Sequence, residues 1–117
     1  MLMTKQAFAK LALLLALTSD AFAHAVLLEA TPGANTSIAG PNITVQLRFN
    51  SRIDAARSRL SILLSDHSER PLALEQSTPG TLSSRVAGLA AGAYKLRWQV
   101  LAADGHISRG EVPFQVK

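Results

Sequence analysis

With 117 residues, 48% of them apolar and 17% charged, the chain has room for one globular domain and no more. It contains no cysteine, which excludes disulfides, thiolate metal ligands and a thiol nucleophile. The net charge of +4 comes from lysines and arginines spread along the chain, neither clustered nor interleaved with aromatics, so no nucleic-acid partner is expected.

Residues 1–23 have the three parts of a cleaved secretory signal peptide. Lys5 and Lys10 supply the positive start, residues 11–17 (LALLLAL) the apolar core, and Ala21-Phe22-Ala23 the small-x-small cleavage site. The apolar run falls well short of the roughly 20 residues that a bilayer span needs. Cleavage after Ala23 removes Lys5, Lys10 and Asp20: twelve basic residues less two and eight acidic less one leave a net charge of +3. Met1 and Met3, the two methionines, leave as well, so the mature chain holds no sulfur and offers no thioether or thiolate site for a soft metal.

The same cleavage makes His24 the first residue of the mature chain. An N-terminal histidine offers one ion both its α-amine and its imidazole in a chelate ring. The amine titrates at about 7.7 to 8.0, so a metal displaces its proton at neutral pH. A histidine inside a chain has no such amine.

The mature domain reads as short strands between turns. Residues 24–30 form a short apolar run, expected as an edge strand, followed by the turn Thr31-Pro32-Gly33 and a loop-like stretch 35–41. Residues 42–50 alternate: Ile43, Val45, Leu47 and Phe49 face one way, with Thr44, Gln46 and Arg48 between them facing the other. Residues 51–58 predict a connecting loop or one helical turn. Leu60, Ile62 and Leu64 mark a third strand, residues 66–71 an exposed turn, 72–75 a short strand and 81–86 another.

The stretch 94–106, YKLRWQVLAADGH, is the most informative of the chain. Tyr94, Leu96, Trp98 and Val100 share one parity and Lys95, Arg97 and Gln99 the other, the pattern of a half-buried strand. Asp104-Gly105-His106 follows. If the backbone stays extended there, Asp104 and His106 project to the same side, a carboxylate beside an imidazole. Residues 111–117 alternate again, with Val112, Phe114 and Val116 inward.

About seven short strands with turn signals between them predict an all-β sandwich, and the connections are too short for the crossovers of a parallel α/β sheet. Of the three histidines, His67 sits in a polar turn and is expected to face solvent. The others, with Asp104, make a set of one amine, two imidazoles and one carboxylate. Such a set suits tetragonal Cu(II), with Ni(II) and Zn(II) as weaker competitors. Whether residue 24 and residues 104–106 meet in space is not legible in the sequence.

The mature chain resembles the CopC family of periplasmic copper-binding proteins. The matching elements are His24 after a leader, Thr31-Pro32, Arg48-Phe49, Gly92-Ala93-Tyr94, Trp98-x-Val100, Asp104-Gly105-His106, Gly110 and Phe114-Gln115-Val116. The resemblance implies a single domain over residues 24–117, a Greek-key, immunoglobulin-like sandwich that binds Cu(II) in the periplasm for copper tolerance, storage or delivery. Carried over residue by residue, His24 supplies amine and imidazole, His106 an imidazole and Asp104 a carboxylate, with Gly105 shaping the turn between the last two. An inner-membrane copper permease of the CopD type is the implied partner, and the protein is expected to be a monomer without catalytic residues. Two departures stand out. Where some members carry a carboxylate just after the Phe of the second strand, this chain has Asn50 and Ser51. Where some carry a methionine-rich loop for Cu(I), the mature chain has no methionine.

Two other classes compete. A copper-dependent oxidative enzyme would use His24 and a second histidine as a histidine brace, but no aromatic-rich surface for a polymer is evident. A metal-free β-sandwich interaction module would need the apparent ligands to be coincidental.

Overall fold

The computed structural model of the protein describes residues 25–75 and 78–117. The expected leader and His24 lie outside the described residues. Eight strands are present among the described residues: β1 (Leu27–Thr31), β2 (Thr36–Ile38), β3 (Ile43–Phe49), β4 (Arg59–Leu63), β5 (Glu69–Pro71), β6 (Thr81–Val86), β7 (Gly92–Leu101) and β8 (Ile107–Val116). They build two sheets, one of order β1-β3-β6 and one of order β2-β8-β7-β4-β5. The chain passes between them repeatedly, at β1 to β2, β2 to β3, β3 to β4, β5 to β6 and β6 to β7, so the expected all-β sandwich is the observed architecture.

The alternating sequences are what close the sandwich. In β3 the buried positions are Ile43, Val45, Leu47 and Phe49, and in β7 they are Tyr94, Leu96, Trp98 and Val100. Each strand presents these residues on one face because successive side chains point to opposite sides. Phe49 of the smaller sheet meets Trp98 of the larger one edge to face, with ring centroids 5.1 Å apart. Leu47, Ile62, Leu82, Leu96 and Phe114 are fully buried between the layers. Burying each such side chain contributes about 1.5–3 kcal/mol, which is how a domain with few aromatics holds together. The charged residues form solvated strand faces, as expected. On the outer face of the larger sheet Arg97 is held between Glu69 at 3.2 Å and Glu111 at 3.0 Å.

Three local expectations are corrected. The loop-like stretch 35–41 contains β2, which pairs in parallel with β8 through Thr36 to Phe114 and Ile38 to Val116. A three-residue strand rich in hydroxyls carries too little alternation to announce itself. Within the expected exposed turn 66–71, Glu69–Pro71 is an edge strand paired with β4. All three residues are exposed, and charge and proline are common devices on a sheet edge. The expected strand 72–75 is not one. Leu72 and Leu74 are half-buried against the core; the Leu72 N–H donates to the Leu60 carbonyl of β4 at 2.9 Å, and Glu75 bridges to Ser83 of the other sheet. Their alternation reflects the anchoring of a connection that crosses from one sheet to the other, held at single points and not along a ladder.

Candidate metal centre

The long hairpin of β7 and β8 delivers two of the three expected ligands. Its ladder runs in unbroken register from Gly92 opposite Val116 to Leu101 opposite Ile107. Residues 102–106 then form the turn. The Ala102 N–H donates to the His106 carbonyl at 2.8 Å, and the Gly105 N–H donates to the Ala102 carbonyl at 2.9 Å. Gly105 has φ +92°, a conformation that glycine adopts without the cost that a Cβ imposes.

The backbone therefore does not stay extended through Asp104-Gly105-His106, as strand alternation would have required. The turn itself brings the two side chains together. Asp104 Oδ1 accepts the His106 backbone N–H at 3.1 Å, and Asp104 Oδ2 lies 3.2 Å from His106 Nδ1. The backbone hydrogen bond from His106, reinforced by its imidazole, holds the Asp104 carboxyl below the usual carboxylate range. Both side chains remain about half exposed, His106 at 51% and Asp104 at 42%, so an ion arriving from solvent can reach them. Adjacent donors on a tetragonal ion with bonds of about 2 Å sit roughly 3 Å apart, and the carboxylate–imidazole spacing is of that size.

No group of three or more metal-binding side chains is assembled among the described residues, so the pair alone is an incomplete centre. The start of the described chain lies at the same pole. Leu27 pairs with Phe49 at the end of β3, and the Val26 N–H donates to Asn50 Oδ1 at 2.8 Å. The residues that follow Asn50 run straight to the β7–β8 turn. The Arg52 carbonyl accepts the Ala103 N–H at 3.1 Å, Ile53 bridges to Ala102, and the Asp54 N–H donates to the Leu101 carbonyl at 2.8 Å. One short segment thus touches both Val26 and the turn that carries Asp104 and His106. His24, one residue before Ala25, lies outside the described residues.

His67 is at the other pole. It lies in the turn between β4 and β5, and Leu63 at the end of β4 pairs with Lys95 near the start of β7. It is exposed, as expected, and lines a shallow groove of about 500 Å³ with Tyr94, Lys95 and Phe114 among its neighbours. It is not brought to the Asp104–His106 pair. The sequence marked Asn50 only as standing where some family members carry a carboxylate, and the segment after it only as a connecting loop or helical turn; neither was given a part in holding the site. The available signal was an amide-bearing residue placed directly at a strand end, where hydrogen bonding to a neighbouring backbone is common.

Comparison with known proteins adds independent information. A family model described as the CopC domain matches residues 27–117. The chain is 27% identical over 115 residues to copper resistance protein C of Escherichia coli, covering 90% of each. Its fold is similar to the crystal structure of CopC from Methylosinus trichosporium OB3b, with 32% identity, a TM-score of 0.72 and coverage of 80% of this chain and 94% of that one. It is also similar to PcoC, a methionine rich copper resistance protein of Escherichia coli, with 27% identity, a TM-score of 0.64 and coverage of 80% and 99%.

Proposed function

The chain belongs to the CopC family, and we propose that it is a periplasmic Cu(II)-binding protein serving copper tolerance, storage or delivery. Cu(II) is its cargo, held by the α-amine and imidazole of His24, the imidazole of His106 and the carboxylate of Asp104. Residues 1–23 are the leader whose removal creates the amine. The observation that carries this reading is the Asp104–His106 pair, 3.2 Å apart at the pole where Val26 is tied down, two residues beyond His24.

The donor set fits the ion. Three nitrogens and a carboxylate oxygen suit tetragonal Cu(II), and with no cysteine and no methionine after the leader the site has no soft donor for Cu(I). The relatives named above as copper resistance proteins support the same cargo. Half exposure of both side chains suits an ion that must be passed on, and a membrane copper permease of the CopD type is the proposed recipient or donor. No residue is assigned a catalytic role.

The test is titration of the processed protein with Cu(II), repeated on protein carrying one extra residue before His24. The extension converts the α-amine into a peptide nitrogen. Affinity is expected to fall at least tenfold, with loss of one nitrogen from the electron paramagnetic resonance spectrum. Unchanged affinity and spectrum would remove the amine from the site.

A further inference from the structure

Asn50 is the residue that follows β3, and it grips Val26 at two points. Its backbone N–H donates to the Val26 carbonyl at 3.0 Å, and its side-chain Oδ1 accepts the Val26 N–H at 2.8 Å. The ladder itself is irregular here, with a register shift between Leu27 and Glu29. The carboxamide therefore secures a backbone donor that the strand pairing alone leaves less well determined. Two residues later the chain takes hold of the β7–β8 turn, through Arg52 to Ala103, Ile53 to Ala102 and Asp54 to Leu101. Segment 50–54 is a strap fastened to Val26 at one end and to the turn that carries Asp104 and His106 at the other.

We propose that Asn50 is a positioning residue of the copper site: its carboxamide fixes Val26, and with it the reach of His24, relative to Asp104 and His106. The proposal rests on the Cu(II) reading above. Two residues of extended chain span at most roughly 7 Å, so the place at which Val26 is held limits how far an amine two residues upstream can reach. Preorganised donors bind more tightly because less freedom is lost when the ion arrives. A neutral amide is suited to this role. It accepts the Val26 N–H without adding a charged oxygen that competes for the metal.

The experiment compares wild type, Asn50→Leu, Asn50→Asp and His106→Ala as processed proteins. Leu is close to Asn in size and has no acceptor; Asp is isosteric and keeps one. Two readouts are taken: hydrogen exchange of the Val26 amide without metal, and Cu(II) affinity with its paramagnetic resonance spectrum. Asn50→Leu is expected to lose Val26 amide protection and to bind Cu(II) about tenfold more weakly with a broadened spectrum, and Asn50→Asp, which keeps an acceptor, to recover the Val26 protection. Asn50 is exposed, so both variants are expected to fold, and Asn50→Ala carries the same test should the leucine not be accepted. Wild-type affinity and spectrum in Asn50→Leu, or a Val26 amide unaffected by the change, overturns the positioning role while leaving the copper site standing. Wild-type Cu(II) affinity in His106→Ala removes the site itself, and the positioning role with it.

Discussion

The indole of Trp98 occupies the space that a side chain on Gly110, its direct partner across the β7–β8 ladder, would need. A Cβ at position 110 would lie 2.7 Å from Trp98 Cε2 and 3.0 Å from Nε1. The indole cannot retreat, because Phe49 packs against it from the other sheet. Gly110→Ala is therefore an overpacking change, expected to cost about 1–3 kcal/mol. Urea unfolding followed by the fluorescence of the chain's one tryptophan measures this directly. A variant as stable as wild type would show that the indole has room to shift.

Tyr94 anchors the start of the same strand. Its hydroxyl donates to the Ala90 carbonyl at 2.6 Å, and its ring stacks on Phe114 with centroids 5.8 Å apart. Tyr94→Phe keeps the stacking and removes the hydrogen bond. The expected loss is about 1 kcal/mol, or a fall of about 4–8 °C in Tm for a domain of this size, read by thermal unfolding.

Asp66 gives the β4–β5 turn a pH dependence. Its carboxylate accepts the Ser68 hydroxyl and the Ser68 N–H, and these bonds hold its pKa below the ordinary value. A carboxyl depressed on folding contributes stability that is fully present above its unfolded pKa and is lost as pH falls through the folded one. Hydrogen exchange at the Ser68 amide, corrected for intrinsic rates, is expected to quicken only below about pH 4. In Asp66→Asn that acid step should be absent. The group is on the surface, so global stability should move little.

At the proposed copper site Asp104 and His106 are expected to fail differently. His106→Ala should remove one nitrogen from the Cu(II) paramagnetic resonance spectrum and lower affinity at least tenfold. Asp104→Asn should keep the nitrogen count and weaken binding, since it replaces a charged oxygen donor and also the acceptor of the His106 N–H. Loss of a nitrogen on changing Asp104 would mean that the turn, not the carboxylate, governs the site.

Cu(I) provides a contrast with the methionine rich relative PcoC. With no sulfur after residue 23, the processed protein is expected to bind Cu(I) far more weakly than Cu(II). Competition against a Cu(I)-selective chelator tests it, and tight Cu(I) binding would require a donor set other than the one proposed.

The long strands were legible because one side of each is buried. In β3, β7 and the second half of β8, burial alternates residue by residue, and that alternation is written directly into the side chains. The short edges were not. Thr36–Ile38 and Glu69–Pro71 are strands by virtue of their backbone partners, which lie more than 70 residues away for the first and across a turn for the second. At the candidate site the residue types were legible, a histidine at position 24 and Asp-Gly-His at 104–106, while the 3.2 Å approach of Asp104 to His106 was not.

The amino acids alone determined a cysteine-free β-sandwich and the kinds of donor it can offer, because side-chain chemistry and two-residue periodicity are local properties. Only the structure decided that the turn at Gly105 folds Asp104 back onto His106, and that segment 50–54 ties Val26 to that turn. Both depend on hydrogen bonds made with backbone groups, and backbone donors and acceptors are the same at every residue but proline.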